Sequence, residues 1–68
     1  MKYYIDYMWH DVSNDKWVSY DISVDRVFYD QDIADYICKG LNDNRIIANN
    51  IEKYVVKEVK EWEEIRHN

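Results

Sequence analysis

Sixty-eight residues suffice for one domain and exclude a second, and a chain this short buries only about 60% of its unfolded surface, so each large apolar side chain counts. Three Trp, seven Tyr and one Phe supply that bulk, while the single Cys38 excludes an internal disulfide and fits a reducing cytoplasm better than secretion. The net charge of −5 is uneven: residues 1–43 hold nine Asp against Lys2, Lys16, Arg26 and Lys39, whereas residues 44–68 balance. That excess repels phosphate backbones, which disfavours direct nucleic-acid binding and favours a protein partner with a basic surface.

The amino terminus lacks the apolar run of a signal peptide, and no stretch approaches the roughly 20 apolar residues needed to cross a bilayer, so neither export nor a membrane role is expected. Residues 2–10 alternate, with Tyr3, Ile5, Tyr7 and Trp9 on one face and Tyr4, Asp6, Met8 and His10 on the other, which predicts a half-buried strand. Ser13-Asn14-Asp15 are turn formers. A second alternating run follows, placing Val18, Tyr20, Ile22 and Val24 opposite Trp17, Ser19, Asp21 and Ser23. The two runs read as a hairpin, which a short third strand at Val27-Phe28-Tyr29 can extend.

Asp30 is a suitable N-cap, with Asp32 favoured in the first turn, and Ile33, Tyr36, Ile37 and Leu41 recur at helical spacing, so a helix is expected from about residue 31. Gly40, Asn42 and Asp43 weaken it near its end. Beyond Ile46, the residues Ile47, Ile51, Tyr54, Val55, Val59, Trp62 and Ile65 fall on one helical stripe and predict a second, longer helix. Against it stand Val56 off the stripe, Glu58 within it, and Asn49-Asn50, which can form a turn that would make residues 51–59 a strand. The expected fold class is therefore α+β, an N-terminal antiparallel hairpin packed against two C-terminal helices. A three-four seam through Ile51, Val55, Glu58, Trp62 and Ile65 adds the expectation of a homodimeric assembly subunit built on the carboxy-terminal helix.

Catalytic chemistry finds little support. Cys38 with His10 or His67 is the sole nucleophile–base combination, and no motif surrounds it. His10, Asp6, Asp11, Cys38 and His67 lack recognisable zinc spacing, and Asp30-Gln31-Asp32 lacks the glycine and distal Glu of a calcium loop. The expectation is no enzyme, no cofactor and no metal. Binding is better supported: Asp6, Asp21, Asp25, Asp30, Asp32 and Asp35 can steer a basic partner, with Tyr4, Trp17 and Tyr29 as anchors.

Size, acidity, aromatic content and the run Asp35-Tyr36-Ile37-Cys38-Lys39-Gly40-Leu41-Asn42-Asp43 resemble the small accessory proteins of bacteriophages. That resemblance, at the level of a class, implies an anti-defence or host-takeover inhibitor working in the host cytoplasm against a nucleic-acid-handling or defence complex.

Overall fold

Tertiary pairing overrides the helical stripe read at the end of the chain. The computed structural model, which describes residues 1–45 and 48–60, has three antiparallel strands and one helix: β1 (Tyr3–Asp11), β2 (Lys16–Ser23), α1 (Gln31–Asp43) and β3 (Glu52–Glu58). The order across the sheet is β2-β1-β3, so the first strand is the central one. The expected pair of carboxy-terminal helices is thus corrected to one helix followed by a strand.

The reason is legible in β3 itself. Tyr54-Val55-Val56 is aromatic and β-branched, which suits a pleated surface better than a helix. Pairing with β1 then sorts its residues between the two faces: Glu52, Tyr54, Val56 and Glu58 pair with Trp9, Tyr7, Ile5 and Tyr3, while Lys53, Val55 and Lys57 pair with Met8, Asp6 and Tyr4. Residues directly opposite share a face. Val55 and Glu58 therefore lie on opposite faces of the sheet and Ile51 sits in the preceding turn, which removes the self-association seam over these residues. Trp62 and Ile65, its remaining members, lie outside the described residues, as does Ile47 of the stripe.

The hairpin forms with local support. Asp11 Oδ1 accepts from the Ser13 backbone N–H at 3.1 Å and Asp11 Oδ2 from Asn14 Nδ2 at 2.8 Å, and Asp15 takes a left-handed φ of 51°. The Asn14 bond is the main reason the Asp11 carboxyl is held below its ordinary range. Farther along, register slips between Asp6↔Ser23 and Met8↔Ser19, so β2 carries more residues than β1 over this stretch. Asp21 absorbs the bulge at φ 60°, its N–H donating to Ser19 Oγ at 2.9 Å. This turns Ile22 out to 64% exposure, although simple alternation puts it with Val18 and Tyr20. Past the bulge the chain returns to β1, where Tyr3 and Phe28 exchange both backbone hydrogen bonds, in place of a full third hairpin strand.

α1 starts where the sequence indicates. Asp30 is extended, and its side chain accepts from the Asp32 N–H at 2.8 Å. The helix lies against β1 and β3, burying Ala34 and Cys38 with Ile5 and Phe28, and Tyr3, Val24, Ile37, Leu41, Tyr54 and Val56 close around them. Two small residues on the inner face let the helix backbone approach the sheet closely. Ile5 is fully buried at the centre, a burial that contributes about 1.5–3 kcal/mol. At the far end Asn42 clamps the outer edge of β3: its Oδ1 accepts from the Tyr54 N–H at 2.8 Å and its Nδ2 donates to the Tyr54 carbonyl at 3.0 Å.

Candidate functional site

Which side of α1 is inward decides which residues can meet a partner. With Ala34 and Cys38 buried, the residues one turn apart at Ile33, Tyr36 and Gly40 fall on one flank, and Tyr29 precedes the extended cap. Asp35 and Asn42 lie on the other flank, where with Lys53, Tyr54, Val55 and Val56 they line the junction between helix and β3. The apolar stripe expected to lie on the hairpin is therefore rotated: Ile37 and Leu41 pack inward, but Ile33 is 49% and Tyr36 77% exposed. The small size of Ala34 and Cys38 was the signal for this, since an inner face built on them leaves the larger residues at the side.

Tyr29 is also largely exposed, as is half of Val27. Beyond Tyr36 the surface dips into a groove of about 400 Å³ walled by Tyr36, Ile37, Lys39, Gly40, Leu41 and Asp43. The space beside Gly40 is open: a Cβ there would meet nothing within 4 Å. Carboxylates border the strip at both ends, Asp30 and Asp32 at the start of α1 and Asp43 at the groove, and all three are exposed; Asp25, on the approach to the helix, and Asp35, on the other flank, are exposed as well. The nearby cations are engaged locally, Lys39 Nζ with Asp43 Oδ2 at 2.7 Å and the Arg26 guanidinium over the Phe28 ring at 4.7 Å. An apolar strip with an acidic rim results.

The anchors and carboxylates selected from sequence divide between two places. Tyr29, Asp25, Asp30, Asp32 and Asp35 belong to α1 and its approach, and Asp21 sits at the bulge. Tyr4, Asp6 and Trp17 lie on the sheet face away from α1. There Asp6 is 4% exposed and its Oδ2 accepts from Lys57 Nζ at 2.8 Å, so its charge is neutralised inside the fold. Trp17 stacks on His10 with ring centroids 5.2 Å apart and lies under the Lys53 ammonium at 4.2 Å. Val55 is half-buried on the same face.

The sheet also separates the nucleophile from its candidate base. Cys38 is buried on the α1 side, where burial first and then the Asp35 carboxylate push its thiol above its ordinary value. His10 is on the opposite face, with Nε2 3.3 Å from Asp15 Oδ1. His67 lies outside the described residues.

A second cluster escaped sequence reasoning. On the α1 side of the sheet, beyond the end of the helix, Tyr7 stacks on Tyr20 at 5.1 Å and meets Tyr54 at 4.8 Å, while Trp9 lies 6.3 Å from Tyr20. The Tyr20 hydroxyl donates to Glu52 Oε2 at 2.6 Å, which is the largest of the effects holding the Glu52 carboxyl below its ordinary range and raising the Tyr20 phenol. Arg45 lays its guanidinium over Tyr7 at 4.8 Å and Tyr54 at 5.6 Å. Strand alternation signals the shared face of Tyr7 and Trp9, but no local pattern links them to Arg45 or Glu52.

What these surfaces define is a small α+β domain built on a three-stranded sheet. No protein-family model, curated protein or solved structure matches the chain. Among the described residues no helix is long and apolar enough to cross a membrane.

Proposed function

We propose that this chain is a non-enzymatic binding protein that docks through the outer flank of α1 onto a macromolecular partner with a basic surface. The observation that carries this reading is the exposure of Ile33 and Tyr36 in helical register, with Tyr29 exposed just before the cap and carboxylates at the border. Exposed aromatic and aliphatic groups give up water favourably on contact, and the rim steers an oppositely charged surface towards them. Asp32 provides that steering, with Asp30 both capping the helix and adding charge, and the exposed Asp25 and Asp35 add to the negative field from outside the strip. Where the partner's basic surface is its own nucleic-acid-binding site, occupancy by this chain blocks it. Inhibition of a nucleic-acid-handling or host defence complex of the kind phage accessory proteins target is the form of the proposal that follows.

The test is capture from cell lysate at low and high salt by the unaltered chain and by an Ile33→Ala/Tyr36→Ala variant whose circular dichroism matches it. We expect one basic protein retained by the unaltered chain at low salt, released at high salt because screening shortens the reach of the rim, and lost from the variant. Retention that is indifferent to both salt and substitution rejects this flank as the docking surface.

A further inference from the structure

The cluster around Arg45 has the composition of a receptor for a cation. Four aromatic rings share one region of the sheet, positioned by the direct pairing of Tyr7 with Tyr54 and of Trp9 with Glu52 and by the stacking of Tyr20 on Tyr7. Aromatic faces attract a guanidinium through their quadrupoles, and a carboxylate at their border adds a directed, charge-assisted acceptor. Glu52 is that carboxylate, oriented by the Tyr20 hydroxyl.

Arg45 fills this place incompletely. Its guanidinium lies over two of the rings, yet its Nε and Nη2 are buried with no hydrogen-bond partner. Those two nitrogens form one edge of the guanidinium, the edge that grips a carboxylate through two bonds. Among the described residues Arg45 makes no ion pair, with Glu52 or any other acid. Leaving buried donors of a charged group unpaired is costly, so the occupant covers the rings while Glu52, which accepts from the Tyr20 hydroxyl and feels the Arg45 charge only at a distance, is left without an ion pair among the described residues. Arg45 also stands on the connection after the α1 cap, outside both α1 and β3, so withdrawal of its side chain breaks no helix or strand hydrogen bond.

We propose that Tyr7, Trp9, Tyr20, Tyr54 and Glu52 form a recognition site for the guanidinium of an arginine on a partner protein, latched in the free chain by its own Arg45. An incoming arginine enters from outside rather than from the Arg45 backbone, so it can lie on the same rings and present a full edge to Glu52. The site is beyond the carboxy-terminal end of α1, away from the Tyr29–Tyr36 strip, and stands or falls separately from docking there.

The test is titration of the unaltered chain and an Arg45→Ala variant with N-acetyl-arginine amide, followed by the ring-proton NMR signals of Tyr7, Trp9, Tyr20 and Tyr54. Removal of a competing latch raises apparent affinity by the inverse of the open fraction, so we expect the variant to bind at least about tenfold more tightly. Adding Glu52→Gln to Arg45→Ala should abolish most of that gain, whereas Ile33→Ala/Tyr36→Ala should leave the titration unchanged. If Arg45→Ala does not fold, Arg45→Met retains the apolar stem and serves in its place. Absence of a saturable shift in a folded variant overturns the proposal, as does equal binding with and without Glu52→Gln. Unfolding of both Arg45 variants would make Arg45 a structural pin and overturn it as well.

Discussion

Asn42 joins two elements with one amide, donating to and accepting from the same residue of a neighbouring strand. Its paired bonds to Tyr54 imitate what another strand would offer, and so occupy backbone groups that an edge otherwise leaves open to foreign pairing. Asn42→Ala should cost about 1–3 kcal/mol, since it leaves both the N–H and the C=O of the half-buried Tyr54 without this partner. Asn42→Asp should add a pH dependence. A carboxylate can accept from the Tyr54 N–H but faces the Tyr54 carbonyl, whereas a protonated carboxyl can donate to it. The folded-state pKa of the introduced group is then raised above its unfolded value of about 3.9. Its stabilising contribution is present below that value and is lost as pH rises through the folded one. Urea unfolding should therefore show the aspartate variant closer to the unaltered chain at pH 3 than at pH 7, and the reverse order would refute this geometry.

At the level of elements, α1 unites a structural and a surface role in one residue, Asp30, which caps the helix and carries charge on the proposed docking rim. The two roles separate by substitution. Asp30→Ser keeps a capping oxygen, so helix content and melting temperature should hold, while partner capture at low salt weakens; Asp30→Ala should additionally lose about 0.5–2 kcal/mol. A fall in stability for serine equal to that for alanine would show that capping is not what Asp30 contributes. The start of α1 was legible because a capping signal is local: Asp30 and Asp32 act within one turn. β1 and the first half of β2 were legible for a similar reason, since alternation needs only neighbouring residues. β3 was legible only as the alternative that a turn at Asn49-Asn50 offered, because Ile51, Tyr54, Val55 and Val59 also satisfy a helical stripe, and pairing with β1, some fifty residues earlier in sequence, decides for the strand. Ile22 was misplaced because the positive φ of Asp21 shifts register without any glycine to mark it. Of the candidate site, the acidic rim and Tyr29 were legible from composition and position, whereas the exposure of Ile33 and Tyr36 depended on how deeply Ala34 and Cys38 let the helix settle.

For the whole molecule, Cys38 reports on the integrity of the core. Its side chain is 7% exposed among Ile5, Phe28 and Ala34, and burial suppresses the thiolate that reacts. Alkylation by iodoacetamide at pH 8 should be much slower in the native chain than in urea, and should accelerate in step with global unfolding as denaturant is raised. Rapid labelling without denaturant would mean that α1 lifts from the sheet independently. The order β2-β1-β3 carries a further consequence for how the chain reaches this state. The strand made first needs, as its second neighbour, the last of the described elements, so half of its hydrogen-bonding edge stays unmatched until β3 has been synthesised and has closed a loop around the entire helix. Pairing across such a separation is slow relative to hairpin formation. During that interval the β1–β2 hairpin exposes an unpaired edge, and it is this intermediate, rather than the finished fold, that is most vulnerable to aggregation.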